Sequence, residues 1–463
     1  MTARVDGGEL ALVLHTHMPY VEGFGTWPFG EEWLWEAMAT SYLPLLDVLD
    51  AGAPLTLSLT PVLCDQLEAP GVAERFLAFL RDVRAETHRQ DIEGCRAGAP
   101  ELVAELEASA RDYALADERF EAIGRDLLGA LEPHVSWTSA ATHPVLPLLA
   151  TDAGVELQVA TGVASHRRRF GEWRGGLWLP ECAYAEWLGP PLVELGVHAA
   201  CVDLTDVLGE TAQPLEREGG PTLVPIDREI VDLVWSDRGY PAHGSYRDYH
   251  HHTIHHHRPW ANDGSPYDRH AARALAREHA RRFVGSVKRR LGEHSPKRRR
   301  PSLCVCALDT ELLGHWWHEG VWWLDAVIDE AAAQGVALAR LDDALERREP
   351  AILDAPLPVT TWGTPRDLST WDGPAAAHFA WRARAAELRV AAAGAGAGER
   401  ALRELLALQA SDWAFMVTRG LAGDYPSERA AGHAAAVERA LASVGSDPAG
   451  LRNLAPELSR TAL

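Results

Sequence analysis

The chain has 463 residues, with 44 basic against 66 acidic side chains and a formal net charge of −22. Such a field repels nucleic-acid phosphate and anionic lipid, which argues against a nucleic-acid or membrane partner and favours a neutral substrate. Seventeen tryptophans against nine tyrosines and nine phenylalanines supply broad faces that fill cores and also stack on sugar rings.

The first residues, "MTARVDGGELALVLHTH", lack a cleavable apolar core behind basic residues, and no window reaches the roughly 18 apolar residues of a membrane span. Six cysteines at no zinc spacing read as reduced core residues, so the chain is expected to be cytoplasmic. Short β-rich runs then alternate with helical segments: "LALVLHTH" (10–17), "LTLSLTPVL" (55–63), "VSWTSAATH" (135–143), "GLWLPE" (176–181), "AACVDL" (199–204), "LCVCALD" (303–309) and "VALARL" (336–341). That alternation predicts a parallel, barrel-like α/β sheet. Residues 65–130 are mainly helical and too long for a simple connection, which predicts a helical insertion. The stretch "YRDYHHHTIHHHRPW" carries six histidines between 250 and 257; imidazoles this dense can chelate a metal, but no nearby carboxylate or cysteine completes a shaped site, so an exposed loop is expected. The basic run "KRRRP" (297–301) reads as a solvated loop. After "PVTTWGTPRDLSTWDG" the pattern is helical to the end, which predicts a catalytic domain over residues 1–355 and a helical domain over 356–463 that contributes to the substrate cleft.

Two acids close apolar runs. Glu181 follows Leu177, Trp178, Leu179 and Pro180, and Asp309 ends the run 303–308. A carboxylate in such a place is costly unless it is paired, held in a cleft or used, and burial raises its pKa. Each alone can be a satisfied structural acid. Two at strand ends, with Trp178, Trp187, Trp316 and Trp317 nearby in sequence, match the requirement of glycosidic-bond chemistry for a nucleophile or base opposite a proton donor. His15 and His17 share a face of the first strand. With His143 and an Asp they make a plausible metallohydrolase site, and they serve equally as hydrogen-bonding partners of substrate hydroxyls.

The motifs "HTHMPY", "AATHPVLPLL", "GLWLPECAY", "ALDTELLGHWW" and "LLALQASDWAFMVTRG" resemble, in order and over nearly the whole chain, the five motifs of glycoside hydrolase family 57, and in particular its 1,4-α-glucan branching enzymes. The resemblance implies an incomplete (β/α)7 barrel with a helical insertion, a C-terminal α-helical domain, and a retaining mechanism without metal or cofactor. It implies Glu181 as nucleophile and Asp309 as acid/base. It implies substrate contacts from His15, His17, His143, Trp362, Trp371, Asp412 and Trp413, with His315 in a supporting role, and an α-glucan such as amylose or glycogen as partner. Trp178, Trp316 and Trp317 read as pocket wall or core, and Glu311 and Glu319 as structural hydrogen-bonding acids.

Branching enzymes of the family carry a mobile loop before "VWS" whose tyrosine excludes water. Here the stretch is "TLVPIDREIVDLVWSDRGYP", with Ile230, Val231, Asp232 and Leu233 and no tyrosine before Trp235. This predicts a larger share of hydrolysis. The alternatives are an α-amylase-like hydrolase or a 4-α-glucanotransferase of the same family and, from other classes, a metal-dependent hydrolase or a non-catalytic glucan-binding protein.

Overall fold

A computed structural model of the chain describes residues 8–25, 29–209, 212–294, 301–442 and 451–459; the basic run at 297–300 lies outside them. Among the described residues ten strands follow in chain order: β1 (Glu9–Thr16), β2 (Thr56–Leu59), β3 (Val135–Ser139), β4 (Gly176–Trp178), β5 (Ala199–Val202), β6 (Leu215–Glu216), β7 (Thr222–Pro225), β8 (Leu303–Asp309), β9 (Ala337–Leu338) and β10 (Ala351–Ile352). Seven of them form one parallel array in the order β7-β5-β4-β3-β2-β1-β8. Every residue of β1 and all of β8 except Asp309 are buried. Both are therefore covered on two faces, which is why they read as near-continuous apolar runs.

The array curls but does not zip shut. Its edge strands β7 and β8 share no ladder; just past β7, the Asp227 amide donates to the Val305 carbonyl at 2.8 Å. The incomplete barrel expected from the sequence is thus seven parallel staves with a seam. One expected stave is misplaced. The run at 336–341 contributes only the two-residue β9 beside β1, while the seventh stave is β7, whose "TLVP" is too short and proline-bounded to stand out as a strand.

The insertion between β2 and β3 is helical, with helices over 61–67, 72–98, 103–122 and 127–131. After β10, helices run over Ala377–Ala393, Glu399–Leu408, Ser411–Thr418 and Tyr425–Ala442 and bury an apolar cluster including Leu402, Leu406, Trp413 and Val437. The sequence "LLALQASDWAFMVTRG" is not one helix: it breaks at Gln409 and Ala410, so a new helix starts at Ser411. That break turns Ser411 and Asp412 toward the barrel. The stretch 228–235, aligned above with a mobile loop, is a helix N-capped by Asp227, with Ile230 and Val231 fully buried. Val231 therefore faces the core and cannot gate a cleft.

The His-rich segment packs on the insertion. Asp91 of the helix at 85–98 accepts from Thr253 and pairs with His255 at 2.6 Å, and the His257 ring lies 3.6 Å from that of His88. Among the described residues no helix is long and apolar enough to cross a membrane, and no group of three or more His, Cys, Asp or Glu side chains is placed to hold a metal ion.

Candidate active site

Strand ends bring the polar residues together. Ladder register pairs His15 on β1 with Asp309 on β8 and with Ser58 on β2, so the first histidine and the second acid stand side by side. Glu181 arrives just beyond β4, on a tight turn in which Glu181 and Cys182 take left-handed backbone angles, φ 61° and 48°. His143, beyond β3, does the same at φ 59°. Such conformations cost about 1–3 kcal/mol per non-glycine residue and persist only where the surroundings impose them. The imposition is visible. Tyr184 and Thr360 exchange backbone hydrogen bonds of 2.9 and 3.0 Å, and the Trp362 amide donates to the Glu181 carbonyl at 3.0 Å. Near His143, the Ser411 amide donates to the His143 carbonyl at 3.0 Å.

The two acids have opposite settings. The Glu181 carboxylate receives the Trp362 indole N–H at 3.0 Å on Oε2 and the Ser411 hydroxyl at 3.2 Å on Oε1. Burial pushes its pKa up to about 6, against the lowering effect of those two donors. Among the described residues no side chain or backbone group donates to the Asp309 carboxyl, and burial, then the charges of Glu311, Glu181 and Asp412, push its pKa well above the usual carboxylate range. Asp309 thus keeps a proton where Glu181 has lost one.

The three histidines divide in the same way. His17 loses by burial and gains more from Asp412, whose carboxylate lies 3.0 Å from Nε2, so its pKa rises; its Nδ1 meets the Thr60 hydroxyl at 3.1 Å. His15 and His143 are held neutral by burial and by the neighbouring His17 charge. Their Nε2 atoms are 3.0 Å apart, and His143 Nδ1 lies 2.9 Å from the Ser411 hydroxyl. His15 stacks on the buried Trp178, ring centres 4.6 Å apart, so Trp178 is pocket wall, and Trp317 is core at 1 % exposure. Glu311 accepts from the His17 amide at 3.1 Å and from the Tyr42 hydroxyl, a structural use of that acid. Glu319, also buried, accepts from the Arg247 amide at 3.1 Å and the Tyr267 hydroxyl.

The structure therefore assembles Glu181, Asp309, His15, His17, His143, Trp362 and Asp412 in one place. Three expected residues are elsewhere. Trp371 and Trp413 are 2 % and 1 % exposed in the C-terminal core, and the Trp413 indole donates to the Ala407 carbonyl at 2.8 Å. Neither offers a face to a sugar, which corrects their assignment as stacking platforms. His315 lines a separate cavity of about 610 Å³ with Tyr249, Arg258 and Trp316, which none of the assembled residues lines; its supporting role is corrected on that ground. Ser411 was missed in the sequence. Its only signal was its place directly before Asp412, and a serine opening a helix ordinarily reads as a cap.

The profile described as glycosyl hydrolase family 57 matches residues 137–353, and that described as the C-terminal region of 1,4-alpha-glucan branching enzyme matches 383–455. A 1,4-alpha-glucan branching enzyme of Thermococcus kodakarensis is 33% identical, over 91% of this chain and 71% of its own. The crystal structure of a family 57 branching enzyme from that organism superposes with a TM-score of 0.89 at 30% identity, covering 98% of this chain and 96% of the other. That of a Pyrococcus horikoshii branching enzyme gives 0.87 at 30%, covering 94% and 90%. An alpha-amylase from Thermotoga maritima, at 22% identity, TM-score 0.82 and 95% and 94% coverage, shares the fold. On that identity and coverage, the chain belongs to glycosyl hydrolase family 57.

Proposed function

We propose that the protein is a retaining 1,4-α-glucan branching enzyme, with Glu181 as nucleophile and Asp309 as acid/base. The observation that carries the reading is the unequal setting of the two acids: one carboxylate accepts from two donors, while the other, among the described residues, has none and is pushed toward its protonated form by burial and neighbouring charge. Ionised Glu181 attacks the anomeric carbon of an α-1,4-linked residue while Asp309 protonates the departing glycosidic oxygen, leaving a covalent glycosyl ester. Asp309, now a carboxylate, takes the proton from a 6-hydroxyl of a second glucan chain as that oxygen attacks the anomeric carbon and frees Glu181. The product is an α-1,6 branch, with the anomeric configuration retained after two inversions. His17 and Asp412, the partly exposed members of the group, contact hydroxyls on the donor side. His15 and His143 are buried and bonded to each other, so their expected contact with substrate is corrected to a backing of that subsite. Trp362 contributes a partly exposed ring beside Glu181. The branching-enzyme names of the relatives and the match at 383–455 support the transfer step, and six free cysteines, five of them buried, support a reducing cytoplasmic setting with a storage glucan as substrate.

A second reading is favoured by one observation. Where relatives of the branching type are expected to place a gating tyrosine, this chain has a helix packed into the core through Ile230 and Val231. Without that gate more water reaches the ester, so hydrolysis takes a larger share of turnovers. Incubation with amylose, followed by counting α-1,6 linkages and new reducing ends, tests both readings. Branches with few reducing ends establish transfer and remove the second reading; reducing ends without branches make the protein a hydrolase. Retention is tested by the anomer first released to water, which must be α, and by a separation of roughly 5–5.5 Å between the two carboxyl groups in a crystal structure.

A further inference from the structure

His143 Nδ1 and Glu181 Oε1 are 3.8 Å apart, too far for a good hydrogen bond. The Ser411 hydroxyl lies between them, 2.9 Å from the imidazole and 3.2 Å from the carboxylate. This serine comes from the C-terminal helices, and its backbone is fixed independently of its side chain, by its amide on the His143 carbonyl and by the Pro144–Ala410 bridge.

Proton counting allows one arrangement. An ionised Glu181 only accepts, so the single hydroxyl proton of Ser411 goes to Glu181 and Ser411 accepts from His143. His143 is neutral, stacked 4.1 Å from the charged His17, so a proton on Nδ1 leaves Nε2 bare. That bare nitrogen accepts from His15 Nε2, 3.0 Å away, which leaves His15 Nδ1 bare toward the Ser58 hydroxyl at 3.5 Å. Every donor in the chain His15, His143, Ser411, Glu181 points the same way and ends on one carboxylate oxygen. Aligned hydrogen bonds polarise one another and favour negative charge at the accepting end.

We infer that Ser411 is a positioning residue for the nucleophile, which orients the Glu181 carboxylate and keeps it ionised through a one-way hydrogen-bond chain from the buried His15–His143 pair. The inference rests on the assignment of Glu181 as nucleophile. It adds a part to the site that neither histidine supplies by direct contact, and it makes the C-terminal helices a component of the nucleophile's setting as well as of the cleft wall.

The test compares Ser411→Ala, Ser411→Thr and Glu181→Gln with the unaltered protein on amylose. Ser411→Ala is expected to lower kcat about tenfold, the loss of one hydrogen bond to a charged group partly replaced by water. KM should stay within about twofold, because the serine acts through Glu181 and not on substrate. The acidic limb of the kcat/KM profile should move up by about one pH unit. Ser411→Thr, which keeps the hydroxyl, should restore both kcat and the limb. Nitrogen NMR of the unaltered, histidine-labelled protein gives a readout free of folding effects: His143 must carry its proton on Nδ1 and His15 on Nε2. If Glu181→Gln turns over glucan normally, the nucleophile assignment falls and the inference with it. If Glu181→Gln is inactive while Ser411→Ala keeps the original limb and kcat, or if the tautomers are reversed, the inference alone is overturned.

Discussion

Replacing Trp362 with phenylalanine isolates the other donor to Glu181. An aromatic face remains beside Trp178, whose ring meets that of Trp362 edge-on at 5.0 Å, while the indole N–H on Oε2, 3.0 Å long, is lost together with the five-membered ring that carries it. A hydrogen bond to a charged group is worth about 1.5–3 kcal/mol. The Glu181 side chain is 15 % exposed, so water recovers part of that, and a net loss of about 1.4 kcal/mol, or one pKa unit, is the working figure. The direction follows from which form is used: the donor stabilises the carboxylate, so its removal raises a pKa already pushed up to about 6, and the acidic limb of kcat/KM rises toward about 7. Measured as a ratio of unaltered to Trp362→Phe activity on amylose, this is about fivefold at pH 6 and close to unity at pH 8.5. The ratio cancels any change in the basic limb common to both proteins. A loss of equal size at every pH would show that the indole supplies shape alone, and an unmoved limb would refute the account of how Glu181 stays ionised.

Glu311→Gln should separate stability from chemistry. Both hydrogen bonds to Glu311 fall on Oε1, which glutamine keeps. Burial pushes the Glu311 carboxyl up to about 7, above its unfolded value, so its ionisation penalises the native state as pH rises from about 4.5 through 7. The variant should gain Tm relative to the unaltered protein by about 2–4 °C at pH 8 and by almost nothing at pH 4.5, read by thermal melts in both buffers. Its basic limb of activity should also fall, because the charge that helps raise Asp309 is gone. Gly314 has φ 95°, and a Cβ there would meet the Thr40 carbonyl oxygen at 1.9 Å; Gly314→Ala should cost about 3 kcal/mol or more in denaturant melts, from strain and overlap together. Dialysis against a strong chelator should leave amylose turnover unchanged, since two carboxyls supply the roles a metal-bound water would fill; loss of activity restored by zinc or manganese would return the histidines to the reading of metal ligands.

What was legible in the sequence follows a physical divide. Glu181 and Asp309 stood out because a charge closing an apolar run is expensive enough to need a reason, and β1 and β8 because burial on both faces leaves little room for polar residues. Trp371 and Trp413 were misread because a tryptophan fills a core as well as it stacks on a sugar, and no local pattern separates the two uses; only their position inside the helical cluster does. His315 sits six residues after Asp309, but the turn at Gly314 carries it to another cavity. Ser411 had no signal of its own, because its meaning lies in two atoms contributed by loops 230 and 268 residues earlier in the chain. The helix at 228–235 was hidden for a similar reason: Ile230 and Val231 suit a loop as well as a helix face, and the Asp227 cap decides between them.

The dependence of Glu181 and His17 on Ser411 and Asp412 has a consequence for a chain emerging from the ribosome. Both acids are synthesised by residue 309, yet Trp362, Ser411 and Asp412 come later, and at about 5–20 residues per second the last of them follows Asp309 by roughly 5–20 seconds. During that interval the barrel carries its carboxylates without the donors that set them apart, so the setting of Glu181 is completed only as the final helices dock.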